Sequence, residues 1–265
     1  MHGGTDRWNM KILRWMAVSF SLYSRIPVPR FKWTEEDMAH SLIFFPWVGA
    51  VIGLLFYGAV KLAELMGADA VVQAVVLLLI PVLVTGGFHL DGFMDTRDAL
   101  SSYAPREKKL EILKDPHTGA FAVTGMISSF LVMFLAMYLT VSQGGKACVL
   151  GAVFVISRSL SALTSVCTEK ARKDGMLKEE TKGSRGGIVF ASLLWMIPAA
   201  GLMIYADMLH APFIAAVFAV YTPLYRRKML REFGGVSGDT AGYFVTRSEM
   251  WACLAYGLSL LILKQ

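Results

Sequence analysis

Residues 86–98 read Gly-Gly-Phe-His-Leu-Asp-Gly-Phe-Met-Asp-Thr-Arg-Asp, and they follow a long apolar run. If the stretch from Asp91 onward is helical, positions i, i+4 and i+7 fall within an arc of roughly 60°. Asp91, Asp95 and Asp98 then share a face and repel one another unless a cation neutralises them. Hard carboxylate oxygens suit Mg²⁺, which with few protein carboxylates usually also holds substrate phosphates. The plain alternative is a polar helix start in a solvated loop. The mouth of a membrane helix is a costly place for acids with no task.

Other residues of chemical interest stand at the ends of apolar runs. Asp115, in Lys-Asp-Pro-His-Thr-Gly, precedes one such run and suits either a turn or a substrate contact. Gly235, Ser237, Gly238 and Asp239 open the last run. Their glycines let backbone N–H groups approach a phosphate at a helix N-terminus. Asp239 is placed there either as a helix cap or as a carboxylate for the same metal. Arg158 falls in the middle of the apolar stretch 149–166, beside Ser157, Ser159 and Ser161. A charge at that depth is costly unless it snorkels to the cytoplasmic interface or meets a carboxylate cluster or a diphosphate.

The elements that position these groups follow from composition. The chain has 265 residues, 55% hydrophobic but only 17% charged, whereas soluble domains carry about 25% charged residues. Apolar windows near 43–66, 71–88, 119–141, 147–166, 188–206, 210–225 and 248–263 meet or approach the length of a span. Lipid cannot satisfy an open sheet edge, so each is read as a helix. The expected fold is an all-α, polytopic membrane bundle of about seven transmembrane helices, forming a single domain over 1–265. Residues 16–23, too short to span, are expected to form an interfacial helix ended by Pro27 and Pro29.

Charge orients this bundle. The N-terminal region and the segments 89–118, 167–187 and 226–247 hold 22 of the 26 Lys and Arg residues. The positive-inside rule places these on the cytoplasmic side of an inner membrane and, with seven spans, the C-terminus outside. The net charge of +6 is then a matter of topology and calls for no nucleic-acid partner. Cys148, Cys167 and Cys253 have unrelated spacings and are read as buried thiols, not as a zinc site or disulfide framework.

Three motifs together carry a family resemblance. Gly-Gly-x-His-x-Asp-Gly-x-x-Asp-x-x-Asp at 86–98, Glu-Ile-Leu-Lys-Asp-x-x-x-Gly at 111–119 and Gly-x-x-Gly-Asp-x-x-Gly at 235–242 look like the cobalamin synthase family, the adenosylcobinamide-GDP ribazoletransferases. Arg25-Ile26-Pro27-Val28-Pro29 and Phe-Pro-x-x-Gly at 45–49 extend the similarity over essentially the whole chain. The chain departs from the family's usual residues at Arg97, Ala99 and the Pro116-His117 pair. The resemblance implies a prokaryotic, Mg²⁺-dependent membrane enzyme in which α-ribazole, or its 5′-phosphate, displaces GMP from adenosylcobinamide-GDP. It implies Asp91, Asp95, Asp98 and Asp239 as metal ligands, and Arg158, Asp115, Gly235, Ser237 and Gly238 as substrate contacts. His89, about 160° from Asp91 if both are helical, is misplaced for the same metal. It is expected, with Asp91 and Asp95, among the catalytic groups, as one candidate base for the ribazole hydroxyl. A homo-oligomer is compatible with all of this.

Two other readings fit less of the sequence. A CDP-alcohol phosphotransferase expects Asp-Gly-x-x-Ala-Arg, where this chain has Asp95 at the alanine position and lacks the further aspartates. A secondary transporter favours internal repeats and midplane sites, whereas these acids gather at one face and no repeat is evident.

Overall fold

The computed structural model describes residues 3–172, 175–183 and 185–263. Among the described residues twelve α-helices run in chain order: α1 (Gly3–Tyr23), α2 (Glu35–Ala39), α3 (Phe45–Met66), α4 (Ala70–Thr85), α5 (Phe88–Ser101), α6 (Arg106–Ile112), α7 (Ala120–Ser142), α8 (Ala147–Cys167), α9 (Met176–Glu180), α10 (Arg185–Ala206), α11 (Ala211–Phe233) and α12 (Gly238–Ile262). Among the described residues the only β pairing is an isolated bridge between Lys170 and Val236. The all-α membrane bundle expected from composition is what the chain forms, and each of the seven apolar windows lies on a long helix.

Among the described residues, length and apolarity by themselves qualify four helices to cross a membrane: α3 with the short turn before it, α7, α8 and α10. Helix α4 qualifies only together with α5, from which it is bent by 93°. The break falls at Gly86 and Gly87, both left-handed, with φ of 64° and 83°. It separates the apolar run of α4 from the charged α5. Helices α11 and α12 outrun their apolar windows, and the extra turns are polar: Arg226 to Arg231 close the first, and Asp239 to Glu249 lie along the second. Helix α1 also starts earlier than expected, at Gly3 rather than in the middle of the N-terminal segment.

Burial follows a membrane protein's logic. Leu54, Leu65, Leu83, Leu131, Phe190 and Ile197 are exposed on the outside of the bundle, where lipid tails take the place of a core. Helix α8 is the exception, 72% buried over its apolar window, and it packs between α3 and α10. Gly53 and Gly151 meet at the α3–α8 crossing: a Cβ on either would stand 2.8 Å from the other's Cα. Small residues permit such backbone approach between membrane helices. Of the three thiols, Cys253 is buried, Cys148 half-buried and Cys167 exposed, so the expectation of three buried thiols holds fully only for the first.

Candidate active site

The acidic motif is helical, the condition under which its aspartates share a face, and α5 lies against α12 and α7. Two glycines set the approach to α12. A Cβ on Gly92 would stand 2.8 Å from the Asp239 Cα, and one on Gly242 would stand 2.9 Å from the His89 carbonyl oxygen. The helices touch backbone to backbone, which carries Asp91 of α5 and Asp239 of α12 into one cavity. That cavity, of about 160 Å³, is lined by Asp91, Asp239, Arg172, Lys170, Lys178, Ser237 and Gly238. Its charges are of both signs. Arg172 Nη2 lies 3.7 Å from Asp239 Oδ2, too long for a direct hydrogen bond but close enough to compensate charge.

Ser237 and Asp239 owe their positions to the start of α12. Ser237 N–H donates to Thr240 Oγ1 at 2.8 Å, and Thr240 N–H donates to Ser237 Oγ at 3.3 Å. This reciprocal cap fixes the first turn and leaves Asp239 within it, facing the cavity. Asp95 lies one turn beyond Asp91. Burial, followed by repulsion from Asp91, Asp239 and Asp98, pushes its carboxyl up to about 6. Burial likewise raises Asp239, against the lowering pull of Arg172. Three like charges with partial compensation match a place for a further cation.

No group of three His, Cys, Asp or Glu side chains among the described residues is arranged to hold a metal by itself. Asp91 and Asp239 bring two hard carboxylate donors to one cavity, a set that suits an ion completing its shell with water and phosphate, as Mg²⁺ commonly does. It does not fit a cage made wholly of protein.

Several expected site residues stand elsewhere. Asp98 accepts hydrogen bonds from Gly119 N–H and, at 2.8 Å, from Ala122 N–H. Each of its oxygens accepts from the start of α7, so it anchors that helix to α5 and does not line the cavity of Asp91 and Asp239. Asp115 is exposed and accepts from His117 N–H at 2.9 Å, with His117 Nδ1 at 2.7 Å. It forms a local turn of the kind Asp-Pro favours and does not line the acidic cavity. Gly235 packs behind the cavity: a Cβ there would lie 2.3 Å from the Glu169 carbonyl oxygen. Its smallness serves the bridge to residues 169–171, not a phosphate.

His89 is displaced most clearly. It is buried, stacked on Phe45 at 5.3 Å and on Tyr23 at 6.2 Å between ring centroids. Neither ring nitrogen has a protein partner. The ring packs among these aromatic side chains and does not line the acidic cavity. Arg158 is likewise buried, and its carboxylate partner is Glu249 of α12, which the sequence reading did not single out. Ser157 Oγ donates to the same Glu249 Oε1 at 2.6 Å, and Arg158 Nη1 donates to the Phe154 carbonyl at 3.0 Å. The expected carboxylate is present, but it lies within the bundle and not among the cavity aspartates.

The cavity cations were also missed. Lys170 and Arg172 belong to a basic segment whose charges are accounted for by topology, and nothing in their spacing sets them apart. Their role comes from the bridge that pairs Lys170 with Val236: Val236 N–H donates to the Glu169 carbonyl at 2.8 Å and Ala171 N–H to the Val236 carbonyl at 2.9 Å. That pairing ties the basic segment to the start of α12.

The pattern of the cobalamin-5-phosphate synthase family matches residues 15–257. The chain belongs to that family. A protein of Lachnoclostridium phytofermentans named adenosylcobinamide-GDP ribazoletransferase is 35% identical over 249 residues, covering 93% of this chain and 94% of that one. Proteins with the same name from Pseudomonas entomophila and Pseudomonas putida are 34% and 31% identical, covering 94% and 93% of this chain and 98% of each relative. No solved structure matches. The family that the three motifs resemble is thus the family of the chain, a family of transferases, and the similarity extends over nearly its whole length.

Proposed function

We propose that the chain joins adenosylcobinamide-GDP to α-ribazole, or to its 5′-phosphate, giving adenosylcobalamin or its 5′-phosphate and GMP, with Mg²⁺ as cofactor. The relatives' shared name supports the substrates. The observation that carries the mechanism is the meeting of Asp91 and Asp239, from two helices, in one cavity with Lys170 and Arg172. A diphosphate ester needs its charge neutralised and its leaving phosphate stabilised. The basic side chains supply fixed positive charge for those oxygens, and Gly238, at the first turn of α12, offers backbone N–H groups to an anion. Asp91 and Asp239 are the residues that would hold the metal, with Asp95 behind them. When bound, the metal supplies Lewis-acid neutralisation of the diphosphate.

The attacking ribazole hydroxyl must lose a proton. With His89 outside the lining of the acidic cavity, the candidates beside the reacting atoms are carboxylates. Asp95 has the better-suited acidity, since a base works best when its pKa is near the working pH and its carboxyl is held at about 6. In this reading the cavity opens to the cytoplasm, because the loops that build it belong to the segments holding 22 of the 26 basic residues.

The test is turnover of the purified protein with both corrinoid and ribazole substrates, following GMP release with and without EDTA. Metal-dependent GMP release with formation of the joined corrinoid supports the reading. Product formation undiminished by the chelator refutes the part given to the aspartates.

A further inference from the structure

A second chamber, of about 70 Å³, lies among α4, α5, α7, α8 and α12. A water needs about 10–15 Å³ of such space, so the chamber has room for about five waters or one small flat molecule. Most of its wall is apolar, with Leu77 and Pro81 from α4, Phe130, Met133 and Met137 from α7, and Met250 from α12. Thr85 donates to the Pro81 carbonyl, Thr246 donates to the His89 carbonyl, and Glu249 is paired with Arg158. The remaining polar side chains of the wall keep unused capacity. Both ring nitrogens of His89, Ser129 Oγ and Arg158 Nε have no protein partner. His89 is 6%, Ser129 4% and Arg158 1% exposed, and polar groups so deeply buried are costly to leave unpaired.

The chamber reaches the elbow between α4 and α5. Gly87, His89 and Leu90 line it, whereas Phe88, Asp91 and Gly92 line the acidic cavity. The first turn of α5 is therefore a wall of both spaces. Gly87 is left-handed, and a Cβ on it would meet no atom within 4 Å, so the elbow is open at that point.

We propose that this chamber binds a planar heteroaromatic base with a single free ring acceptor, the benzimidazole of the ribazole substrate. The inference rests on the substrates proposed above and adds where one of them is held. A benzimidazole joined to ribose keeps one imine nitrogen and is otherwise apolar. The Ser129 hydroxyl and a His89 N–H are the unused donors for that nitrogen. The Phe130 ring and the Met133 and Met137 sulfurs suit the faces and edges of an aromatic ligand. Guanine and adenine carry amino groups and several ring acceptors, which apolar walls would leave unpaired. With the base in the chamber, the ribose passes Gly87 toward the turn of α5 that bears Asp91.

The experiment uses the full chain, purified in a neutral detergent, with thermal unfolding in EDTA as the first readout. Dimethylbenzimidazole and α-ribazole are titrated, with guanosine as the comparison; the first two should stabilise the protein and guanosine should not. Ser129→Leu fills the chamber without removing a protein hydrogen bond and should weaken both ligands about tenfold or more. His89→Phe keeps the ring stack and removes the donor, and should weaken them about three- to tenfold, the scale of one hydrogen bond. Ser128→Leu, on the exposed side of α7, should leave both affinities intact. The second readout is turnover, in which Ser129→Leu should raise the Michaelis constant for α-ribazole and leave kcat and the constant for cobinamide-GDP near wild type. A chamber that holds only water gives no shift with the base, which overturns the proposal; so does a shift that both Ser129→Leu and His89→Phe leave intact. Wild-type GMP release with an unaltered ribazole constant in those two variants refutes this site and leaves the proposed function standing. Base binding lost in Ser129→Leu supports the site even where the wild type releases no GMP, a result that refutes the proposed function.

Discussion

Gly92 of α5 lies directly against the backbone of Asp239 in α12, so that a methyl group there would stand 2.8 Å from the Asp239 Cα and 2.8 Å from its carbonyl oxygen. Backbone atoms cannot give way as a flexible side chain does. Gly92→Ala should therefore force α5 and α12 apart, at a cost of about 1–3 kcal/mol for overpacking, and widen the gap between Asp91 and Asp239. We expect turnover to fall by at least tenfold while the protein still inserts. The check is GMP release beside a thermal unfolding curve; wild-type turnover in this variant would mean that the crossing does not set the site.

Asp91→Asn and Asp239→Asn keep the shape of the cavity and remove one charge each. Each should lower turnover by about a hundredfold, the scale of losing one preorganised electrostatic group, and raise the Mg²⁺ concentration for half-maximal rate. Asp98→Asn should behave differently, because its oxygens receive Gly119 and Ala122. It should weaken the anchoring of α7 by about 1 kcal/mol, the scale of a lost cap, without moving the Mg²⁺ requirement. An unchanged metal dependence in both cavity variants would remove them from the metal site.

Arg158 and Glu249 form an ion pair inside the bundle. Glu249→Gln leaves the guanidinium buried without its counter-charge, and Arg158→Met leaves the carboxylate so. Each loss should be strongly destabilising, about 3–5 kcal/mol on the scale of buried pairs broken on one side. The double replacement by apolar residues should recover much of it. Thermal unfolding of the three variants in one detergent tests this. The apparent Michaelis constant for cobinamide-GDP should stay near wild type in whatever folds, and a large rise confined to the Arg158 variant would return that residue to the substrate.

Glu180 of α9 is buried beneath Tyr23, whose hydroxyl donates to its carboxylate. Burial pushes this carboxyl from 4.5 up to about 7. An acid raised in the folded state holds its proton there and loses it when unfolded, so stability falls as pH rises from about 4.5 through 7. We expect the unfolding temperature to drop between pH 5 and pH 7 and to level off above it, by about 2–4 °C for each kcal/mol involved. Glu180→Gln should flatten that slope and raise stability at pH 8. An equal slope in the two proteins would exclude Glu180 as its source.

The amino-acid sequence alone determined the fold class, because lipid leaves an apolar run of about 20 residues little choice but a helix. The seven windows became helices α3, α4, α7, α8, α10, α11 and α12. It also determined that Asp91, Asp95 and Asp98 share a face once residues 91–98 are helical, and that Arg158 is costly without an anionic partner or a path to the interface, since both follow from local period and from the cost of a buried charge. Only the tertiary structure decided which acid meets which partner. Asp91 meets Asp239 across 148 positions of chain because two glycines let α5 and α12 touch. Asp98, in the same motif, is drawn to the start of α7, and Arg158 finds Glu249 instead of the cavity aspartates. His89 turns into an aromatic interior that its neighbours in sequence do not reveal. Period assigns residues to faces of one helix; which face meets a cavity, a cap or a buried counter-charge depends on contacts between segments distant in the chain, and these a local pattern does not encode.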